Sequence, residues 1–329
     1  MNGNSRKLIF LTLLTMLVVL ATPSSVFSQN DDVKVAFDLS HGQGDKLLAQ
    51  LEGNLTVLGY TSVEITGGIT AAKLTGVDVL LLGAVYGTEF TDAEVSAISD
   101  WFDEGGKGIW VGSDSDYAAY SYINNNTNKV LEAIGSKLRG EPTSVEDPES
   151  NCGAAYRVVA NVVSTDPIVS DMTEGVQKAL FHGPTVLCGY VGGSYVALET
   201  TNVENVIWVM KTSSASIITD ADLIPPHAHS TGDQGSFVIM AAERFAGPNG
   251  NNKIVAAGAS PYGDYQPIFS DAYYGVQLQG PALVAGSIKW LATVERLPTF
   301  WEKYMWYIVG GVAVLLVVGV YFLVIKKKK

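Results

Sequence analysis

The turn Gly112–Asp116 (Gly-Ser-Asp-Ser-Asp) holds Ser113, a residue type that can do covalent chemistry. A serine hydroxyl becomes a nucleophile when a histidine beside it accepts its proton. Of the four histidines, His41 and His182 lie near the ends of predicted strands and are the candidate bases. The Gly-x-Ser-x-Gly turn of α/β-hydrolases does not occur in the sequence. The other interpretation is a polar turn that ends a strand and caps the next helix.

A second polar loop, Asp38–Asp45, follows the first predicted strand. In an open parallel sheet such a loop lies at the carboxyl ends of the strands, where ligands bind in a crevice. The candidate ligand-binding residues at this edge are Asp38, Ser40, His41, Gly42, Tyr86, Ser113 and Asp114. The loop has no lysine and no full Gly-x-Gly-x-x-Gly pattern, so it is a poor phosphate cradle. The alternative is a turn that caps the helix beginning near Asp45.

The pattern His227-Ala228-His229 is the one metal-like motif in the sequence. Residues i and i+2 of a strand share a face, so both imidazoles could bind one ion. Asp220, Asp222 or Asp233 could complete the site. The preceding Pro225-Pro226 indicates an irregular loop instead. We therefore predict no metal and no cofactor, with His227 and His229 as a weak alternative.

An aromatic segment follows the predicted strand Lys253–Gly258, and its members are Tyr262, Tyr265, Phe269, Tyr273 and Tyr274. With the glycine and prolines among them, they predict a long loop at the same edge of the sheet as Ser113. Such clusters are either the core of a loop or a contact surface for proteins or glycans. The sequence leaves both interpretations open.

The elements that position these residues alternate in the first half of the chain. Apolar runs predict strands, and apolar residues at helical spacing predict helices. The predicted strands are 33–39, 62–65, 77–85 and 108–112. The predicted helices are 45–58 and 127–138, and between them a third helix begins after Thr91, which forms a capping box with Glu94. The second half is strand-rich, with strands at 156–163, 194–198, 205–211, 236–242 and 253–258 and a helix at 280–291. This order predicts an α/β fold with a doubly wound, mainly parallel sheet over residues 29–296.

Both ends of the chain predict membrane targeting. Residues 1–28 are typical of a secretory signal peptide, with an uncleaved N-terminal anchor as the alternative. Residues 307–325 carry no charge and match the length of a single transmembrane helix. An aromatic linker, 297–306, precedes this segment, and a lysine tail, 326–329, follows it.

The positive-inside rule places that lysine tail in the cytoplasm and residues 29–296 outside the cell or in a lumen. We therefore expect a type I single-pass protein of the plasma membrane or an endomembrane. Export favours a disulfide between Cys152 and Cys188, worth about 3–4 kcal/mol, and the alternative is two buried free thiols. Asn54 and Asn125 begin glycosylation sequons.

Composition excludes two classes of protein. Hydrophobic residues make up 47% of the chain and charged residues 16%, which excludes disorder as its main state. The formal net charge is −12, and a nucleic-acid binder needs a basic face to neutralise phosphates. We therefore expect no nucleic-acid partner.

Gly83, the segment Trp101–Gly106 and the strand Gly108–Gly112 resemble the class I glutamine amidotransferase-like fold. Further matches follow in order: Asp166–Val169, Phe181–Pro184, Val206–Ala215, Phe237–Arg244, Lys253–Ser260 and a helix that ends at Trp290-Leu291. The resemblance is to the non-enzymatic branch, the GIFT domains of gliding-motility, ABC-transport and intraflagellar-transport proteins. The wider architecture is similar to that of the GIFT-bearing accessory subunit of oligosaccharyltransferase.

This resemblance implies a three-layer sandwich. In the catalytic relatives, a cysteine occupies the turn that holds Ser113 here, so the resemblance supplies no known nucleophile. We expect a non-catalytic, membrane-anchored binding or scaffolding subunit of a complex for glycosylation or transport, whose partners are the membrane and other membrane-protein subunits. The alternative is an exported hydrolase that uses Ser113 with His41 or His182.

Overall fold

Short apolar segments form the strands, because strands covered on both faces carry apolar side chains throughout. The computed structural model describes residues 33–117, 121–295, 304, 305, 307–312, 314, 315, 318 and 319. Its strands are β1 Lys34–Asp38, β2 Thr61–Ile65, β3 Val79–Leu82, β4 Gly108–Gly112, β5 Leu138–Gly140, β6 Ser144–Glu146, β7 Arg157–Ala160, β8 Val162–Val163, β9 Ala179–His182, β10 Leu187–Val191, β11 Ser194–Ala197, β12 Val206–Lys211, β13 Ser216–Thr219, β14 Gln234–Gly235, β15 Val238–Ala246, β16 Asn252–Ala257, β17 Ala272–Tyr273 and β18 Val276–Gln277.

Helices form where apolar residues recur at helical spacing, and they pack against the strands. They are α1 Leu48–Val57, α2 Ala71–Leu74, α3 Asp92–Asp103, α4 Ser121–Ala133, a 3-10 turn Pro167–Val169, α5 Ser170–Thr173 and α6 Gly280–Ala292. The predicted capping box of α3 is present: Glu94 N–H donates to the Thr91 side chain, and the Glu94 carboxylate accepts from Thr91 N–H.

The central sheet has eight strands in the order β2-β1-β3-β4-β16-β15-β12-β8. The first five of these run parallel, and the last three join by antiparallel pairs. The predicted α/β fold with a mainly parallel sheet is therefore confirmed. Strands β5, β6, β7 and β9–β11, with β13 and β14, form smaller antiparallel sheets beside it.

Two apolar clusters lie on opposite faces of the sheet and make three layers. One contains Phe37, Leu81 and Trp110 with residues of α1 and α6. The other contains Leu80 and Ile109 with residues of α3 and α4. The alternation of side chains along each strand divides neighbouring residues between these two layers.

One error in the predicted elements concerns α4. The sequence predicts a helix from 127 to 138, but α4 spans residues 121–133 and includes Asn124, Asn125 and Asn126. Two of these asparagines are buried at 1% exposure because their amides bond to other segments. Asn124 Nδ2 donates to Asp114 O, and Asn126 Oδ1 accepts from Phe90 N–H. These contacts outweigh the low helix propensity of asparagine.

The predicted disulfide is wrong, because both cysteines are free and buried. Cys152 packs in a small cluster with Val159 and Leu180. Cys188 lies on β10, where burial and the nearby Glu141 raise the pKa of its thiol well above the usual range. The two thiols thus belong to different packing environments, which the sequence does not reveal.

The sequons and the chain ends complete the comparison. Asn54 on α1 and Asn125 on α4 are both exposed, and their glycosylation stays a prediction. The predicted signal peptide 1–28 and the lysine tail 326–329 lie outside the described residues, as do most of the linker 297–306 and part of the segment 307–325. Among the residues that the structure describes, no helix combines the length and apolar character that a membrane crossing requires.

Two buried tryptophans give a matched test of this core. Trp101 Nε1 donates to Val77 O at 2.9 Å, whereas Trp110 Nε1 is buried without a partner among the described residues. We expect Trp101→Phe to lower the free energy of unfolding by about 1–3 kcal/mol more than Trp110→Phe, because only the first change breaks a hydrogen bond and only the second removes an unsatisfied donor. Urea unfolding followed by far-UV circular dichroism measures both, and equal losses would contradict this account.

Candidate functional site

Three polar side chains from three loops meet at the carboxyl ends of the parallel strands, and we call them the crevice triad. Tyr86 follows β3, Asp114 follows β4 and Asp264 follows β16. The Tyr86 hydroxyl lies 2.6 Å from Asp114 Oδ2 and 2.9 Å from Asp264 Oδ1. Asp264 is 6% exposed, and its Oδ2 is buried without a hydrogen-bond partner in the described part of the chain. The predicted pair Tyr86 and Asp114 is thus brought together.

The crevice triad holds its protons tightly. Burial raises the pKa of Asp264 to about 6. Burial and the charge of Asp264 raise the pKa of Asp114 well above its usual range. Tyr86 has one hydroxyl proton and can donate to only one carboxyl. The contact with the other carboxyl becomes a hydrogen bond when that carboxyl is protonated and donates to the tyrosine oxygen. The triad therefore favours a state in which one of the two aspartic acids is neutral.

His182 lies beside the crevice triad, at the end of β9. Ser115 N–H donates to Gly183 O at 2.9 Å, which holds this segment next to the turn after β4. Burial and the charge of Arg157 lower the pKa of His182 to about 4, so the ring is neutral at pH 7. Its Nε2 is buried without a partner among the described residues, and its ring centroid is 5.0 Å from that of Tyr265.

Exposed tyrosines surround this edge, and we call them the tyrosine rim. Its members are Tyr117, Tyr156, Tyr265 and Tyr274, which are 71%, 43%, 69% and 65% exposed. The Arg157 guanidinium lies 4.2 Å from the ring centroid of Tyr274 and 5.1 Å from that of Tyr156. The aromatic loop has a buried part and an exposed part, and a contact role for the exposed part stays a prediction. Tyr262 and Phe269 are buried, while Tyr265 and Tyr274 face solvent.

His41 is held between two carboxylates below the surface. Its Nδ1 is 2.6 Å from Asp38 Oδ2, and its Nε2 is 3.2 Å from Glu94 Oε1. The ring is 1% exposed and packs on Phe90 at 4.2 Å between centroids. Burial opposes protonation, but the hydrogen bonds and charges of Asp38 and Glu94 outweigh it and raise the pKa of His41. With both ring nitrogens engaged, His41 stabilises the loop and has no base position free.

The remaining members of the predicted loop support this arrangement. Ser40 N–H donates to Asp38 Oδ1, and the Ser40 hydroxyl donates to Ile65 O. Gly42 has a φ of +85°, and a Cβ there would come within 2.5 Å of Gly87 N. The loop therefore packs against the turn after β3. The predicted cap is wrong, because α1 begins after Leu47 without a side-chain cap.

Ser113 is completely buried, and its hydroxyl donates to Asn124 Oδ1 at 2.6 Å. Neither His41 nor His182 hydrogen-bonds to it among the described contacts. The nucleophile and base of the hydrolase alternative are therefore not paired in this structure. The prediction that the turn with Ser113 caps the next helix is also wrong. The bonding partner of Ser113, Asn124, lies inside α4 and not at its start.

Glu141 fixes the loop that carries the two metal-like histidines. Its Oε2 accepts from the backbone N–H groups of His227, Ala228 and His229 at 2.7–3.4 Å. His229 Nδ1 is 2.7 Å from Glu141 Oε1, and His229 Nε2 is 3.0 Å from Glu199 Oε2. Burial alone would lower the pKa of His229, but these contacts raise it to about 9. We call Glu141, His229 and Glu199 the loop clamp.

The proposed pairing of His227 with His229 on one ion is wrong. His229 uses both ring nitrogens in the loop clamp, and His227 stacks on Tyr195 with 4.3 Å between centroids. Asp220 and Asp222 lie instead near Asp116, with one carboxylate oxygen of each within 4.8 Å of the others. Asp116 Oδ2 accepts from Ala221 N–H at 2.7 Å, so it also holds the turn.

Sequence reasoning missed Asp264, Glu94 as a histidine partner, Glu141 and Glu199. One signal was available: Asp264 lies in the aromatic loop after β16, which the sequence places at the crevice edge. In the loop clamp, Glu141 follows β5 and Glu199 follows β11, and strands of three and four residues give no periodic signal.

The loop clamp predicts a pH dependence of stability. The folded-state pKa of His229, about 9, exceeds its ordinary 6.5, so folding favours the protonated ring. The stabilisation is present below pH 6.5 and is lost as the pH rises through 9, by about 3 kcal/mol in total. Glu199→Gln keeps an acceptor for Val238 N–H but removes a charge. Histidine titration by NMR should find a pKa near 9 that this variant shifts toward 6.5; an unshifted pKa would refute the clamp.

The crevice triad predicts a second pH dependence of stability, which comes from the carboxyl group of Asp264. The pKa of Asp264 is raised to about 6, so the stabilisation from its protonated form is present at pH 4 and lost as the pH rises through 6. Tyr86→Phe removes the hydroxyl that, among the described residues, contacts both carboxylates. We expect it to cost about 1–3 kcal/mol at pH 8 and clearly less at pH 5. Thermal melts at both pH values measure this, with exposed Tyr117→Phe as the control.

Comparison with known proteins gives the fold and no family. No family model matches the chain, and no curated protein matches it. Among solved structures, the mmIFT52 N-terminal domain is 16% identical with a TM-score of 0.52, over 79% of this chain and 97% of that one. A Thermoplasma acidophilum protein described as a GMP synthase subunit matches at 13% identity and a TM-score of 0.37, over 79% and 94% of the two chains. PurLQS from Thermotoga maritima matches at 11% and 0.38, over 79% and 99%.

The first of these likenesses shows a shared fold, and the other two are too distant to carry an argument. The chain therefore has a mixed α/β fold that the IFT52 N-terminal domain shares.

Proposed function

We propose that this chain is a non-catalytic binding and scaffolding subunit of a membrane-protein complex, of the kind that serves glycosylation or transport. It is a GIFT-type domain exported from the cytoplasm and held by a C-terminal membrane anchor. The observation that carries the proposal is the state of Ser113. At the position where catalytic relatives hold their nucleophile, this chain has a buried hydroxyl bound to Asn124.

The surroundings of Ser113 support the same conclusion. A nucleophile needs a base within hydrogen-bond reach and an open path for substrate. His41 is engaged by two carboxylates, and Ser113 is 0% exposed. The exported hydrolase, the alternative drawn from the sequence, would require Ser113 to leave Asn124. It would also require either that His41 leave its carboxylates or that His182, whose Nε2 has no partner among the described residues, come within reach of Ser113.

The tyrosine rim supports a binding role. Tyrosine offers a large apolar surface with a polar end, which suits contacts that are partly wet, and it is enriched in protein interfaces. The order of the motifs from Gly83 to Leu291 and the fold shared with the IFT52 N-terminal domain support the GIFT branch at the level of fold only. The uncharged segment 307–325 with its lysine tail supports the anchor.

Site-specific photo-cross-linking tests this function. A photoreactive amino acid replaces Tyr265 in the full chain in its native membrane, and a matched variant carries it at Val57, which is 87% exposed at the C-terminal end of α1. We expect adducts with other membrane-protein subunits at position 265 and not at 57. Adducts at both sites, or at neither, would contradict a binding surface at the tyrosine rim.

Ser113→Ala separates the two functions further. As a subunit, the variant loses a buried hydrogen bond and leaves Asn124 Oδ1 without its donor, which costs about 1–3 kcal/mol, while assembly with partners is retained. As a hydrolase, it would lose turnover by orders of magnitude. A serine-directed covalent probe that labels the wild-type chain at Ser113, and fails on the alanine variant, would overturn the proposal.

A further inference from the structure

Strand β12 has an open edge along half of its length. On one side it pairs with β15 throughout. On the other side, β8 pairs only with Met210 and Lys211. One more bond, from Ser164 N–H to Val209 O, continues this contact before the chain leaves the sheet. Among the described residues, no strand lies beside Val206–Trp208 on that side.

The peptide groups of Val206 and Trp208 point toward this open edge. Arg244 N–H donates to Asn205 O, which makes Val206 and Glu243 a non-hydrogen-bonded pair of the β12–β15 ladder. In an antiparallel pair the direction of the peptide groups alternates, so Ile207 bonds to β15 while Val206 and Trp208 face away from it. Val206 N–H is used in a turn to Val203 O. Val206 C=O and both backbone groups of Trp208 are therefore available to an incoming strand.

A groove runs along this same edge. A cavity of about 620 Å³ lies between Ser164–Asp166 on one wall and Asn202–Trp208 on the other. A second cavity, of about 580 Å³, shares Ser164–Asp166 and extends to Val176. A third, of about 290 Å³, shares Val206 and Trp208 and extends to Leu198. The three cavities share lining residues along this edge of β12, and we call them together the groove.

The charge of the groove selects among peptides. Its walls carry the carboxylates of Asp166, Asp171, Glu174, Glu199 and Glu204. Of these, Glu199 pairs with His229 and Glu204 with Lys137. Asp171 pairs with Lys289, and the one lining arginine, Arg244, is paired with Glu295. Asp166 and Glu174 have no ion-pair partner in the described part of the chain. The groove therefore favours a basic segment.

We propose that this groove binds an extended, lysine- or arginine-bearing segment of a partner protein, which adds to the sheet as a strand beside Val206–Trp208. The backbone groups at the open edge supply the affinity, and the unpaired carboxylates select basic side chains. This surface lies at the opposite side of the sheet order from β1 and β2 and does not involve the crevice triad or the tyrosine rim. The inference does not depend on the binding function proposed for the tyrosine rim. The cross-linking experiment and the peptide-binding experiment can therefore fail independently of each other.

Hydrogen exchange with residue resolution tests this inference on the full chain in lipid nanodiscs. The probe is a synthetic heptapeptide, Thr-Lys-Val-Thr-Val-Lys-Thr. We expect saturating peptide to slow exchange of the Trp208 amide at least tenfold and to leave the Ile207 amide, which already bonds to β15, unchanged. Two matched peptides serve as controls: one has N-methyl groups at alternate backbone nitrogens, and one has glutamate in place of lysine. Neither should protect Trp208.

A pair of protein variants tests the charge preference. Glu174→Lys should weaken binding of the lysine peptide about threefold to tenfold, whereas Glu89→Lys, at an exposed site away from the groove, should leave it unchanged. Equal binding of the N-methylated peptide, or no protection of Trp208 at millimolar peptide, would overturn the proposal. Protection of Trp208 before peptide is added would also overturn it. If that protection rises with protein concentration, the occupant is a second copy of the chain; if it does not, the occupant is a segment of the same chain.

Discussion

A carboxylate that leaves water must find a proton, a cation or several hydrogen-bond donors, because its desolvation otherwise costs many kcal/mol. This requirement governs the loops of the present fold. Asp38 and Glu94 meet it through His41, Glu141 and Glu199 meet it through His229, and the crevice triad meets it by sharing a tyrosine hydroxyl and retaining a proton. Each solution joins segments that are distant in sequence. The loops over the sheet are therefore fixed by charge pairing, while the sheet itself is fixed by apolar burial.

The division between apolar and polar constraints explains what the sequence could predict. The parallel strands were found within a few residues, and Gly108–Gly112 matches its predicted bounds at both ends, because buried strands need continuous apolar runs. The capping box of α3 was found because both of its partners lie three residues apart. In contrast, Glu141 and His229 are 88 residues apart, and no local pattern links them. The metal-like spacing of His227 and His229 was a local pattern that the distant carboxylates overrode.

The candidate site combines buried polar side chains with an exposed aromatic edge. The crevice lies at the carboxyl ends of the parallel strands, and the turn after β4 contributes Asp114 to it. Inside the crevice, Ser113 binds Asn124, His41 binds two carboxylates, and Tyr86 joins Asp114 to Asp264. Asp264 Oδ2 and His182 Nε2 stay without a hydrogen-bond partner among the described residues. What faces outward is the tyrosine rim, whose side chains combine an apolar ring with a polar end. The sequence singled out Tyr265 and Tyr274 but not Tyr117 or Tyr156, because the separation of exposed from buried aromatic side chains depends on tertiary packing.

Glu94 belongs to three segments at once. Its carboxylate closes the capping box of α3, accepts from Ile69 N–H and contacts His41. The first turn of α3 can therefore not fray alone, since its loss would also release the segment before α2 and expose the His41 loop. These three regions should behave as one cooperative opening unit, with a single free energy of local unfolding. Motions of the His41 loop are in this way tied to the stability of α3.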